Sequence, residues 1–105
     1  MTESEFNRLA DAALARIETA TDNCSGDVEG NRSGNVLEIE FSDGQKIIIN
    51  RHAAAREIWV AARSGGFHFR WDGAAWRNTR DGSELFAALS TLVSQQLGRG
   101  VRLLG

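Results

Sequence analysis

Apolar residues recur at helical spacing near the start of the chain. Phe6, Leu9, Ala10, Ala13 and Ile17 form one stripe. Thr2 and Glu5 have the spacing of a capping box, so the helix is predicted to begin just after Thr2. The pattern fades near Thr21–Cys24. A polar stretch from Ser25 to Gly34 carries three glycines and reads as a loop. From Val36 the period changes to two: Leu37, Ile39 and Phe41 share one strand face, Glu38 and Glu40 the other. Ser42-Asp43-Gly44 is a hairpin signal, and Gln45–Asn50 holds the β-branched run Ile47-Ile48-Ile49. Arg51–Arg56 reads as a connection. Further strands are predicted at Glu57–Arg63, Phe67–Trp71 and Ala74–Asn78, with turns at Ser64–Gly66 and Asp72-Gly73. A second helix is predicted from an N-cap at Ser83, with Leu85, Phe86, Leu89, Leu92, Val93 and Leu97 as its stripe and Gly98 closing it. The short apolar tail from Val101 to Leu104 can lie back over the helices.

The order is α-βββββ-α. Short turns between consecutive strands imply an antiparallel meander, and two striped helices can cover one of its faces. The expected class is α+β: a two-layer α-β sandwich, one domain over residues 1–105, with the other sheet face open. Phe6, Leu9, Ile17, Leu37, Ile39, Phe41, Leu85, Phe86, Leu89 and Val93 are the predicted core.

Composition narrows the function. No apolar run reaches the ~18 residues of a membrane span. The acidic start at Met1–Glu5 argues against a secretory or transit leader, so a cytoplasmic protein is expected. The single cysteine, Cys24, excludes an internal disulfide and a Cys-based zinc or iron–sulfur site within one chain. The net charge of −2 hides an asymmetry: residues 1–45 hold ten acids against three bases, and residues 46–105 hold four against nine. The first part suits cations or a basic partner. The arginines of the second part are scattered, which disfavours nucleic acid.

Phosphate-loop, dinucleotide, serine-hydrolase and zinc-protease motifs are all missing from the sequence. The acidic helix face is the more informative feature. At about 100° per residue, Asp11, Glu18 and Asp22 fall within roughly 40° of one another, turned away from the apolar stripe. Asp27 and Glu29 extend the charge into the next segment. All are oxygen ligands, suited to hard cations held weakly with water completing the shell. The same pattern also fits a plain solvated helix face. In Glu57–Arg63, Ile58 and Val60 are expected to face the helices, which turns Trp59 to the open sheet face with Arg51 in the nearby connection. An exposed Trp near Arg is a candidate contact anchor.

The chain resembles the frataxins, in particular the bacterial ones. The resemblance is carried by SEFNRLAD at 4–11, DGQKIIINR at 43–51, IWVAA at 58–62 and GGFHF at 65–69, in the family order and between two helices. It implies the same α-β sandwich. It also implies weak binding of ferrous or ferric iron at acids of the first helix and the adjoining strand edge, here Asp11, Glu18, Asp22, Asp27 and Glu29. The implied partners are the cysteine desulfurase and the scaffold machinery of iron–sulfur cluster assembly. Glu18, Asp22, Asn50, Arg51 and Trp59 are the implied contact residues. A regulator or iron donor, monomeric and cytoplasmic in a bacterium, is the leading expectation, with iron-dependent oligomers left open. A ferroxidase, an activity credited to eukaryotic members, is the alternative. The ridge is thinner than in relatives: Thr19, Asn23, Ser25 and Gly30 stand where further acids are common.

Overall fold

The computed structural model describes residues 1–24 and 27–103. Helix α1 spans Glu3–Asp22, and strands β1 to β6 span Val28–Ser33, Val36–Phe41, Lys46–His52, Glu57–Ala62, Gly65–Trp71 and Trp76–Asn78. Helix α2 spans Leu85–Leu97, and a 3-10 turn at Ala53–Ala55 joins β3 to β4. The strands lie in sequence order in one sheet, each antiparallel to the next. Both helices pack on one face, as the sequence pattern predicts, and the other face is open.

The capping box at Thr2 forms: the Glu5 amide donates to the Thr2 hydroxyl, and the Thr2 amide donates to the Glu5 carboxylate. Phe6, Ala10, Ala13, Leu14 and Ile17 bury α1 against Leu37, Ile39, Ile49 and their neighbours, and Leu85, Leu89, Leu92 and Val93 do the same for α2. Leu9 and Phe86, expected inside, are only partly buried at the margin of this core.

Four local expectations are corrected. The stretch read as a loop between Ser25 and Gly34 contains β1; Ser25 and Gly26 themselves lie outside the described residues. This edge strand bonds only to β2, and of its six residues only Val28 is buried, so no apolar alternation marks it. Gly30 belongs to its packing: a Cβ there would meet Thr21 Cγ2 at 3.4 Å, where the last turn of α1 crosses the strand. Gly34, at φ +59°, makes the turn to β2. Arg51, assigned to a connection, lies within β3, which runs on to His52. The last strand begins at Trp76 rather than Ala74, because the Asp72 carboxylate takes the amides of Ala74 and Ala75 into a turn. The N-cap of α2 is Glu84 rather than Ser83: its carboxylate accepts from the amides of Phe86 and Ala87, while Ser83 bonds to Asp81.

The tail lies over α2, as expected for its described residues. The Val101 amide donates to Ser94 Oγ and the Leu103 amide to Ser90 Oγ, and Leu103 is buried; Leu104 lies outside the described residues.

Candidate functional site

The fold distributes the five predicted ridge acids over four surroundings. Asp11, about two turns into α1, is a node. Its Oδ1 accepts from Arg32 Nη2 at 2.5 Å and from Arg51 Nη1 at 2.8 Å. Arg51 also donates to the Asn35 side chain in the β1–β2 turn and to the Asn7 carbonyl. The Arg32 and Arg51 side chains are 24% and 17% exposed, against 56% for Asp11. Asp11 therefore clamps α1 to β1 and β3. Arg32 and Arg51 are 21 and 40 residues away along the chain, which is why helical spacing alone could not reveal the clamp.

Glu18 and Asp22 lie one turn apart further along the helix, Glu18 half-buried and Asp22 exposed. Among the described residues neither takes part in an ion pair. Like charges at this spacing repel by a few tenths of a kcal/mol, roughly 0.2–0.5. Asp27 pairs with Arg99 at 3.3 Å. Glu29 alternates with Val28 and Gly30, so it belongs to the open sheet face, directly opposite Glu40. Glu38 lies nearby on that face and pairs with Lys46 at 3.0 Å. Among the described residues no three His, Cys, Asp or Glu side chains converge into a metal cage. A cation here would be held by one or two carboxylates with water as its remaining ligands, the weak oxygen-rich mode of a hard ion.

The open face holds the second group of predicted residues. Trp59 points there, with Asn50 and His68 directly opposite it on the two flanking strands. Its indole is sandwiched: the His52 ring stacks on it at 3.9 Å between centroids and the His68 ring at 4.5 Å, both 12° from parallel. The indole faces are covered, so what Trp59 presents outward is its edge. His52 is fixed in turn by Nδ1, which accepts from the Ala55 amide at 3.3 Å. Arg51, expected beside Trp59, points to the opposite face of the sheet toward α1. The structure thus brings Asn50 and Trp59 together and sets Arg51 with Asp11 instead.

Beneath the stack lies Glu57, whose side chain is 8% exposed. Trp59 Nε1 donates to its Oε1 at 2.8 Å, and Arg70 Nε to its Oε2 at 2.7 Å. His68 Nδ1 lies 3.3 Å from Oε1. Burial pushes the Glu57 carboxyl upward, but the hydrogen bonds from Trp59 and Arg70 and the Arg70 charge outweigh it and hold the group below its ordinary value. Sequence reasoning did not single out Glu57. Its signal is strand register, which needs the turn at Arg63–Ser64 rather than the expected Ser64–Gly66: Gly65 and Gly66 pair with Ala62 and Ala61 in β5, so Trp59 falls opposite His68 and Glu57 opposite Arg70.

Cys24 is partly buried, and its Sγ donates to the Ala20 carbonyl at 3.5 Å. Burial raises its thiol, the reverse of an activated nucleophile.

Comparison with known proteins agrees with this architecture. Residues 1–99 match the family described as a frataxin-like domain. The chain is 61% identical over 102 residues to the iron–sulfur cluster assembly protein CyaY of Dechloromonas aromatica, covering 96% of this chain and 97% of that protein. It is 58% identical over 103 residues to the CyaY protein of Janthinobacterium sp. (strain Marseille), covering 93% and 92%. Among solved structures, the frataxin of Psychromonas ingrahamii superposes with a TM-score of 0.91 over the whole of both chains at 30% identity. The trimeric frataxin of Saccharomyces cerevisiae, complexed with ferrous, shares the fold with a TM-score of 0.58 at 23% identity, covering 92% of this chain and 86% of that one. The chain belongs to the frataxin-like family.

Proposed function

We propose that this protein is an iron-responsive interaction protein of bacterial iron–sulfur cluster assembly. It acts in the cytoplasm by binding the cysteine desulfurase and its scaffold machinery, and it regulates cluster formation or supplies its iron. The observation that carries this reading is the Glu18–Asp22 pair: two carboxylates of like charge, one turn apart, neither in an ion pair among the described residues. A cation or a cationic surface relieves their repulsion. The names of the relatives support the process, and the yeast frataxin complexed with ferrous supports the ion. Iron is cargo on this reading, bound weakly at Glu18 and Asp22, with Glu29 as a further carboxylate and Asp27 and Asp11 as others whose arginine partners compete. Binding is the activity; the protein is a monomer that catalyses no step itself.

Asn50 and Trp59 supply a second contact on the open sheet face, with Arg51 acting through its hold on Asp11. The test is surface-bound kinetics on purified desulfurase. The double reversal Glu18→Lys, Asp22→Lys should slow association and flatten its salt dependence, because opposite charge steers encounter. Trp59→Ala should instead speed dissociation. Fe²⁺ titrated in parallel should broaden amide signals around Glu18 and Asp22. Unchanged affinity and salt slope in the double reversal would reject the ridge as the docking surface, and broadening centred on His52, His68 or Cys24 would reject it as the iron site.

A further inference from the structure

Glu57 is the only buried acid among the described residues, and its bonds come from within the sheet face. Trp59 and His68 meet one oxygen and Arg70 meets the other. Arg70 makes this bond through Nε, although its side chain is 67% exposed. The guanidinium edge that carries the two Nη groups thus belongs to the solvent side. Arg77 stands directly opposite Arg70 on the neighbouring strand. It too meets its acid, Asp72, through Nε, at 3.3 Å. Asp72 is itself engaged by the amides of Ala74 and Ala75 through its other oxygen. Each guanidinium thus holds one carboxylate through Nε, Arg77 also donates from Nη1 to the Gly82 carbonyl at 3.4 Å, and the two arginines share one face as register partners on adjacent strands. An arginine that holds one carboxylate through Nε can still accept a second on its Nη edge, and two such arginines side by side can be met by successive carboxylates of one chain.

We propose that Arg70 and Arg77, beside the rigid His52–Trp59–His68 stack, form a docking surface for a carboxylate-rich segment of a protein partner. The proposal rests on the reading that the open sheet face is a contact surface, and it adds the charge of the partner there. The stack supplies a preorganised aromatic block next to two arginines, the residue types that dominate binding hot spots. The far corner of the same face carries Glu29, Glu38 and Glu40. It repels an acidic chain, and so confines that chain to the β5–β6 side and sets its direction. The molecule then carries two contact surfaces of opposite preference: the Glu18–Asp22 turn of α1 for cationic groups, and the β5–β6 corner for anionic ones.

The experiment is a ¹⁵N NMR titration of the intact chain with an oligoglutamate peptide, and in parallel with single-stranded oligouridylate of similar charge. Oligoglutamate should shift the Trp59 indole N–H and the amides of His68, Arg70 and Arg77 saturably, with an affinity that falls as salt is added. Arg77→Gln, at an exposed position, should weaken it several-fold while leaving the rest of the spectrum in place; Arg70→Gln should do the same. Arg63→Gln, in the β4–β5 turn, should not. Equal weakening by Arg63→Gln, or no Arg77-dependent binding, overturns the proposal. Tighter binding of the oligouridylate at the same residues overturns it in favour of a nucleic-acid surface. Should Trp59→Ala weaken the desulfurase complex although oligoglutamate fails to bind, the contact surface stands and only its assigned charge is wrong.

Discussion

Replacing Asp11 by alanine separates two roles that the same carboxylate could play. If Asp11 belonged to a ridge of mutually repelling acids, its removal would relieve crowding and raise stability. As the clamp between α1, β1 and β3, its removal should lower stability. The magnitude follows from the two ion pairs. An exposed pair contributes about 0.2–1 kcal/mol. The Arg51 pair belongs in the upper part of that range, because Arg51 is 17% exposed and held by Asn35 and the Asn7 carbonyl as well. Together the pairs give about 1–2 kcal/mol. Alanine returns up to ~0.7 kcal/mol through helix propensity, which leaves a net loss of about 1 kcal/mol. For a domain of this size that lowers Tm by about 4–8 °C. Urea unfolding followed by circular dichroism, at low and at high salt, measures it. The loss should shrink with salt, since the pairs lie near the surface. An Asp11→Ala protein as stable as its parent or more stable would refute the clamp and return Asp11 to the ridge.

Leu89 is fully buried under α2, so Leu89→Ala should cost about 2–5 kcal/mol in urea unfolding. The Glu57 carboxyl lies below its ordinary value of 4.5 in the folded chain. Its contribution to stability is therefore complete above that value and is lost as pH falls through the lower folded value; Glu57→Gln should flatten this acid limb in urea midpoints measured across a pH series. Ser94 Oγ accepts from the Val101 amide at 2.9 Å and donates to the Val101 carbonyl at 2.9 Å. Ser94→Ala should cost about 1 kcal/mol and speed hydrogen exchange at Val101 and Leu103 ahead of the α2 amides.

Elements whose residues alternate or recur by burial were legible in the sequence. The stripe of α1, the faces of β2 and the Trp59 side of β4 all follow from a period, and each is where the pattern puts it. Strand β1 was not, because an edge strand with only Val28 buried satisfies its backbone without an apolar pattern. The helix cap at Glu84 was missed for a related reason: which of two adjacent polar side chains reaches the free amides is decided by the turn before them, where Asp81 holds Ser83. At the candidate site, spacing places Asp11, Glu18 and Asp22 on one helix face. It cannot say that two arginines from distant strands converge on one of the three. Trp59 was recognisable as facing outward, but its enclosure by two imidazoles required the register of three strands.

The sequential order of the strands also has a consequence in time. Each strand pairs with the one made just before it, so the sheet can zip as it is synthesised, with little loop closure at any step. The cover of its apolar face is less evenly supplied. Helix α1 precedes every strand and packs mainly over β1 and β2, whereas α2 follows every strand. Ile58, Val60 and Phe69, all buried in the finished fold, must wait for Leu85, Leu89 and Val93 to complete their layer. A nascent chain that stalls before residue 85 presents a paired sheet with part of its apolar face uncovered. That species, more than the unfolded chain, is the one expected to aggregate or to recruit a chaperone.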